Sequence, residues 1–112
     1  MLRSGNAPLH VENVTAAGST QADAATIPSK ASLALVVAAG DNTKGILLPK
    51  ASKGKAYFVK NSGAGGLKVY PSGTNAINAL GGSNAITMAA NTSALFVAAT
   101  SALWYTVPLL PS

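Results

Sequence analysis

The residues that could carry chemistry are few in this 112-residue chain, and they are scattered. The chain has no cysteine, which excludes thiolate nucleophiles, disulfides and thiolate metal ligands. Its only histidine, His10, stands near Glu12, and the other carboxylates are Asp23 and Asp41. Catalytic and metal sites need several such groups together. The sequence therefore predicts no catalytic residue, no metal site, no cofactor and a protein that is not an enzyme.

A lysine cluster is the densest group of ionisable residues. Lys50, Lys53 and Lys55 lie within six residues of one another in a chain of net charge +5. A basic surface attracts acidic proteins or nucleic acid, and it also keeps a small protein soluble. The aromatic pair Tyr57 and Phe58 could stack on bases, but neighbours in a strand face opposite ways, so at least one should be core. We expect an exposed basic loop that contacts an acidic protein surface, and we do not expect nucleic-acid binding.

The second half of the chain is free of charge. Lys68 is the last charged side chain, and residues 69–112 carry none. Charged residues are 10% of the chain, against about 25% in ordinary soluble domains. Lone domains use charge to prevent association, so this half should either be covered by other subunits or present a neutral polar surface of Ser, Thr and Asn. We predict a homotrimer, with Phe96, Trp104 and Tyr105 as anchors of the core or of the oligomer interface.

The elements that would position these residues are short β-strands. Apolar runs alternate with turn-forming clusters from residue 32 onward, at the spacing of an all-β fold. We predict a single antiparallel β-sandwich, jelly-roll-like, or a small barrel, over residues 31–112. The predicted strands are 32–38, 45–49, 55–61, 67–70, 77–80, 85–88, 94–99 and 103–107.

Residues 1–30 are predicted to form an extended N-terminal arm. They contain few large apolar side chains, which favours ordering on a partner. Leu9 and Val11 alternate around His10 as in a strand, so part of the arm should add a strand to a neighbouring subunit or to a partner protein. The arm residues expected at that contact are Arg3, Leu9, His10, Val11 and Val14.

A succession of short segments carries a resemblance to a known group of proteins. The segments are Phe58-Val59-Lys60-Asn61, Val69-Tyr70-Pro71-Ser72-Gly73, Ile77-Asn78-Ala79-Leu80, Ala94-Leu95-Phe96 and Trp104-Tyr105-Thr106. The order resembles small structural proteins of tailed bacteriophages, above all those that decorate or cement the capsid. The resemblance covers roughly half of the chain.

This resemblance implies an all-β, often trimeric protein with the major capsid protein as its partner. It implies a place on the capsid exterior of the virion after synthesis in the bacterial cytoplasm. The longest apolar stretch, residues 33–39, is far short of the roughly 20 residues of a membrane span, and we expect no secretory signal. A tail-fibre or receptor- and carbohydrate-binding module is the alternative, motivated by Trp104 and Tyr105.

Overall fold

The structure is a computed structural model that describes residues 10–27, 33–38, 43–78 and 80–107. These residues form ten strands and contain no helix, which confirms a mainly-β protein. All eight predicted strands are present, with ends within three residues of the prediction. In chain order the strands are β1 His10–Thr15, β2 Ala25–Thr26, β3 Leu33–Ala38, β4 Gly45–Leu47, β5 Ala56–Asn61, β6 Leu67–Tyr70, β7 Ala76–Ile77, β8 Ile86–Met88, β9 Ser93–Ala98 and β10 Leu103–Val107.

The strands form two mixed sheets. The larger sheet has the order β1-β3-β5-β9-β10-β7, and the smaller has the order β2-β4-β6-β8. Parallel pairs join β1 to β3, β3 to β5, β2 to β4, β4 to β6 and β7 to β10. The predicted antiparallel arrangement is therefore wrong for these pairs. Antiparallel pairing of successive strands needs hairpins, whereas at each connection between β1 and β6 the chain leaves one sheet and enters the other. The jelly-roll and barrel assignments stay predictions.

The first six strands follow a regular alternation, with odd strands in the larger sheet and even strands in the smaller one. His10, Leu33 and Tyr57 occupy equivalent positions on neighbouring strands of the larger sheet, 23 and 24 residues apart along the chain. The sequence carries a faint trace of this period. Ala-Ala-Gly occurs at 16–18 and again at 38–40, and Pro28, Pro49 and Pro71 each follow shortly after an even strand.

The last strands close the arrangement by antiparallel pairing. β8 lies antiparallel to β6 in the smaller sheet, and β9 lies antiparallel to β5 in the larger one. β10 returns antiparallel to β9 through a short turn, and β7 pairs with its other edge. β9 therefore occupies the middle of the larger sheet, between β5 and β10.

A single apolar cluster draws on both sheets. Alternate residues of β5, β6, β8, β9 and β10 turn inward, as in Tyr57, Val59 and Asn61 of β5, and these are buried. The alternation in the sequence predicts that Tyr57, Val59 and Asn61 share one face of β5, and that Leu67 and Val69 share one face of β6. These residues are buried, which confirms the prediction. The largest fully buried side chains are Trp104, Tyr57, Phe96, Ile46, Leu48, Leu67, Ile77, Ile86 and Met88.

The described part of the predicted arm lies within the sheets of its own chain. β1 pairs with β3, and β2 pairs with β4. We expected this segment to order on a neighbour because it has few large apolar residues. Ala16, Ala24 and Ile27 are buried nevertheless, so small side chains are sufficient to attach it. The predicted boundary after residue 30 lies outside the described residues.

Candidate interaction surface

The outer side of the larger sheet is apolar on three adjacent strands. Phe58 of β5 is 39% exposed, Tyr105 of β10 is 49% exposed and Val107 is 60% exposed. Of the large hydrophobic side chains whose exposure the structure describes, these three stand most open to solvent. All three alternate with buried residues of their strands, so they point away from the core. The outward side of this sheet is therefore the main apolar surface of the described molecule.

Strand register gathers these side chains into two rows. Phe58 lies opposite Leu95 on β9, and Leu95 lies opposite Val107 on β10. Ala56, Val97 and Tyr105 form the neighbouring row in the same way. Directly opposite residues have Cβ atoms about 4.5–5.5 Å apart, so the rows are continuous. We call this surface the apolar face, formed by Ala56, Phe58, Leu95, Val97, Tyr105 and Val107.

The three predicted anchors take two different places. Phe96 and Trp104 are fully buried, whereas Tyr105 lies on the apolar face. The Trp104 ring packs on Tyr57 with centroids 5.9 Å apart. The Trp104 Nε1 and Tyr57 Oη atoms are buried without a hydrogen-bond partner, and burial raises the pKa of the Tyr57 hydroxyl. Of the two roles left open, Phe96 and Trp104 have the core role.

Sequence reasoning singled out Tyr105 and missed the other five residues of the apolar face, namely Ala56, Phe58, Leu95, Val97 and Val107. The sequence did contain an indication of this face, because residues 94–99 are apolar on both sides of β9. This strand lies in the middle of the larger sheet. Ala94, Phe96 and Ala98 fill the core, while Leu95 and Val97 are half-buried on the outer side. Only the register shows that Leu95 stands between Phe58 and Val107.

The predicted basic residues lie on the loop between β4 and β5, as expected. Lys50 and Lys53 are exposed and Lys55 is half-buried. The Gly54 amide donates to the Ala98 carbonyl at 2.9 Å, and the Ala98 amide donates to the Lys55 carbonyl at 2.8 Å. The loop is thereby held at the end of the larger sheet where β9 turns toward β10. We call these three lysines and their loop, residues 48–55, the basic loop.

Two asparagine side chains support both surfaces. The Asn75 Oδ1 atom accepts from the Ala51 amide at 2.9 Å, and its Nδ2 donates to the Ser101 carbonyl at 3.3 Å. This joins the basic loop to the turn between β9 and β10. The Asn78 Oδ1 accepts from the Thr106 amide at 3.0 Å, and its Nδ2 donates to the Thr106 hydroxyl at 2.8 Å. These bonds fix β10, which carries Tyr105 and Val107.

Asn61 is a third buried amide, at the end of β5. Its Nδ2 donates to the carbonyls of Gly65, Met88 and Ala89 at 2.9, 3.0 and 3.2 Å. Its Oδ1 accepts from the Gly63 amide at 3.0 Å. A buried amide must be satisfied in this way to be tolerated. Asn61 therefore holds the loop after β5 against the chain after β8.

The outer side of the smaller sheet is polar. The Lys68 Nζ donates to the Thr87 hydroxyl at 3.1 Å, and the Tyr70 hydroxyl donates to the Ser19 carbonyl at 3.0 Å. The Tyr70 ring lies over Gly45, where an added Cβ would be 2.7 Å from the ring. Burial, and then the charge of Asp23, raise the pKa of the Tyr70 hydroxyl. We call Gly45, Lys68, Tyr70 and Thr87 the polar face.

The Asp23 carboxylate holds together the loop that contains Ser19, the residue bonded by Tyr70. Asp23 Oδ1 accepts from the Thr20 amide at 2.8 Å, from the Thr20 hydroxyl at 2.8 Å and from the Ser19 amide at 3.0 Å. These hydrogen bonds, first of all that from the Thr20 amide, lower the pKa of Asp23 from its ordinary value of 3.8. Asp23 is thus engaged within the loop rather than offered to a ligand.

The remaining predicted arm residues are placed only in part. His10, Val11 and Val14 lie in β1, at the edge of the larger sheet, and Val14 is half-buried against the core. Arg3 and Leu9 lie outside the described residues. The described residues contain no group of three or more side chains suited to hold a metal ion. They also contain no helix long and apolar enough to cross a membrane.

Comparisons with protein families, with characterised proteins and with solved structures found no match to this chain.

Proposed function

We propose that this chain is a non-enzymatic structural protein of a tailed-bacteriophage virion. It binds the outer surface of the capsid and cements neighbouring capsomers, with the major capsid protein and further copies of itself as partners. It is made in the host cytoplasm and ends on the capsid exterior. Of the finer fold assignments we keep the two-layer β-sandwich, because one apolar cluster draws on both sheets.

The observation that carries this proposal is the separation of two surfaces of different chemistry. The apolar face has no charged side chain, whereas Lys50, Lys53 and Lys55 lie on a loop at one end of the same sheet. An apolar surface suits a lasting contact with protein, and a cationic loop suits an acidic surface. Many copies on a lattice add weak contacts into stable attachment.

The tail-fibre alternative has less support. Trp104 and Tyr105 motivated it as residues that could stack on a sugar. Trp104 is fully buried, so it cannot reach a ligand without unfolding its surroundings. Tyr105 stands among aliphatic side chains rather than among hydrogen-bonding groups. Sugar recognition needs such groups to fix orientation.

The basic loop provides the test. We expect a variant with Ser at positions 50, 53 and 55 to bind capsids lacking the protein more weakly than the wild type, above all at low salt where charges are least screened. The matched control places Ser at Lys44, Lys60 and Lys68, which removes the same charge elsewhere. Particle binding is measured by co-sedimentation at several salt concentrations.

Two outcomes would contradict the proposal. Equal binding of wild type, loop variant and control at every salt concentration would leave the lysines a role in solubility alone. A density map of the assembled virion that places the protein at the tail tip, with none on the head, would favour the alternative.

A further inference from the structure

The basic loop lies directly beside a second segment, the turn between β9 and β10. Ala98 connects them, because its carbonyl accepts from the Gly54 amide at 2.9 Å and its amide donates to the Lys55 carbonyl at 2.8 Å. Within the loop, the Lys55 amide donates to the Ser52 carbonyl at 2.9 Å, and Gly54 has a φ of +93°. The turn, residues 99–102, follows Ala98 without a break. We call the basic loop and this turn together the joined loops.

Asn75 connects the joined loops a second time. Its side chain is buried. Its Oδ1 accepts from the Ala51 amide of the basic loop, and its Nδ2 donates to the Ser101 carbonyl of the turn. Its main chain is held as well, since the Asn75 amide donates to the Ser72 carbonyl and the Asn75 carbonyl accepts from the Ser83 amide, each at 2.9 Å. One residue therefore fixes the position of the loop relative to the turn.

We propose that the joined loops form one docking surface for an acidic segment of a partner protein, and that Asn75 is the residue that positions it. This inference rests on the proposed function, and it adds the turn to the contact that the lysines make. Carboxylates of the partner pair with the lysines of the basic loop. The hydroxyl of Ser101, an exposed residue, donates to a carboxylate oxygen beside them.

Charge is the first argument for an acidic protein as the partner. Three lysines stand in the basic loop, and no acidic side chain follows Asp41 in the sequence, so neither of the joined loops carries a carboxylate that would neutralise them. The turn adds hydroxyl groups without adding charge. Nucleic acid is disfavoured because Tyr57, the aromatic residue nearest to the loop in sequence, is buried and cannot stack on a base.

Order within the joined loops is the second argument. A loop that is fixed before a partner binds loses less conformational entropy on binding, so more of the contact energy appears as affinity. The backbone of the basic loop is bonded at Ala51, Gly54 and Lys55 to residues outside the loop. The lysines therefore start from fixed backbone positions relative to Ser101. Because Asn75 is buried, it acts through this arrangement rather than by touching the partner.

The test is the affinity of the full chain for a synthetic oligoglutamate peptide, measured by titration calorimetry at physiological ionic strength. Ser101→Glu places a like charge opposite the peptide and should weaken binding by about fivefold or more. Thr26→Glu adds the same charge at an exposed position on the smaller sheet, and this control should leave the affinity within about twofold, because salt screens distant charges. Equal affinities of wild type and Ser101→Glu would overturn the inference.

Two buried amides separate positioning from stability. Asn75→Ala and Asn61→Ala each remove an amide with several hydrogen bonds, so both should lower the melting temperature. Only Asn75→Ala should also weaken peptide binding, by about threefold or more, because Asn61 lies at the opposite end of β5 from the basic loop. Equal losses of affinity in the two variants would overturn the positioning role of Asn75. If Asn75→Ala does not fold, the comparison of Ser101→Glu with Thr26→Glu decides the inference.

Capsid particles separate this inference from the proposed function. Decoration that the triple lysine variant weakens but Ser101→Glu leaves unchanged would keep the proposed function and overturn the inference. Peptide binding that Ser101→Glu weakens, with no attachment of the wild type to capsids, would support the docking surface and overturn the proposed function. Duplex DNA that binds the wild type as tightly as the peptide does would overturn the acidic protein partner.

Discussion

The outer sides of the two sheets differ in whether their side chains find partners within the chain. On the polar face, Tyr70 bends over Gly45 to reach Ser19, and Lys68 bonds Thr87, so the chain satisfies its own groups there. On the apolar face, Tyr105 and Val107 stand half exposed or more, with neither polar partners nor a covering segment among the described residues. The polar face therefore satisfies its polar side chains within the chain, whereas the apolar face would bury its exposed side chains only on contact with another protein.

Gly45 lies against the Tyr70 ring on the polar face, and it should be the position that tolerates an added side chain least. Gly45→Ala places a Cβ 2.7 Å from the Tyr70 ring and 2.8 Å from the Lys68 carbonyl oxygen. Such overpacking lowers the free energy of unfolding by about 1–3 kcal/mol, which urea denaturation would measure. Thr26→Ala, at an exposed position on the same side of the smaller sheet, is the control and should change it by less than about 0.5 kcal/mol. Wild-type stability for Gly45→Ala would contradict the close packing of Tyr70.

A pair of hydroxyl deletions compares the two faces directly. Tyr70→Phe removes the hydrogen bond to the Ser19 carbonyl and should lower the free energy of unfolding by about 0.5–1.5 kcal/mol. Tyr105→Phe removes a hydroxyl from the apolar face and should leave the monomer unchanged. Chemical denaturation of both variants at low concentration gives the difference. An unchanged free energy of unfolding for Tyr70→Phe would mean that its hydrogen bond to Ser19 adds nothing.

The Asp23 carboxylate should make the free energy of unfolding depend on pH. Hydrogen bonds lower the pKa of Asp23 in the folded protein, so its ionised form stabilises the fold above the ordinary value of 3.8. That contribution is lost as the pH falls through the lowered folded pKa. We expect Asp23→Asn to be less stable than wild type at pH 7, with a gap that closes on acidification. A constant gap across thermal melts from pH 7 to pH 2 would contradict this role.

The smallest effect is expected on the apolar face itself. Val107→Ala should change the stability of dilute, monomeric protein by less than about 0.5 kcal/mol, because the side chain is 60% exposed. Val59→Ala, the same change at a fully buried site, should cost about 2–3 kcal/mol. A large loss for Val107→Ala would show that the chain itself covers this surface.

Eight of the ten described strands could be predicted from the sequence, but their partners could not. Alternation of large apolar residues marked β5 and β6 with the correct faces, since a half-buried strand needs that pattern. A parallel partner 21–24 residues away leaves no turn signal, so the pairing of β1 with β3 and of β2 with β4 was missed. β2 is two residues long, too short for any period to show.

The candidate site was predictable where one residue type decides the location. Lysines beside Pro49 and Gly54 indicate a loop, because burying unpaired ammonium groups is unfavourable. The apolar face depends on the register of three strands, and no single segment of the sequence contains it. Tyr105 was singled out as a rare aromatic residue, but Phe58, Leu95 and Val107 become neighbours only when three strands align.

The short turn between β9 and β10 has a consequence for the order of folding. Among the described strand pairs it is the one closed by a local turn, residues 99–102, whereas every other pair joins distant parts of the chain. Local contacts form before distant ones because less loop entropy is lost. We therefore expect this hairpin to be the nucleus. Tyr105 and Val107 would then be exposed to solvent from the earliest stage of folding. In a crowded cell these side chains could therefore aggregate with other proteins before the remaining strands have folded.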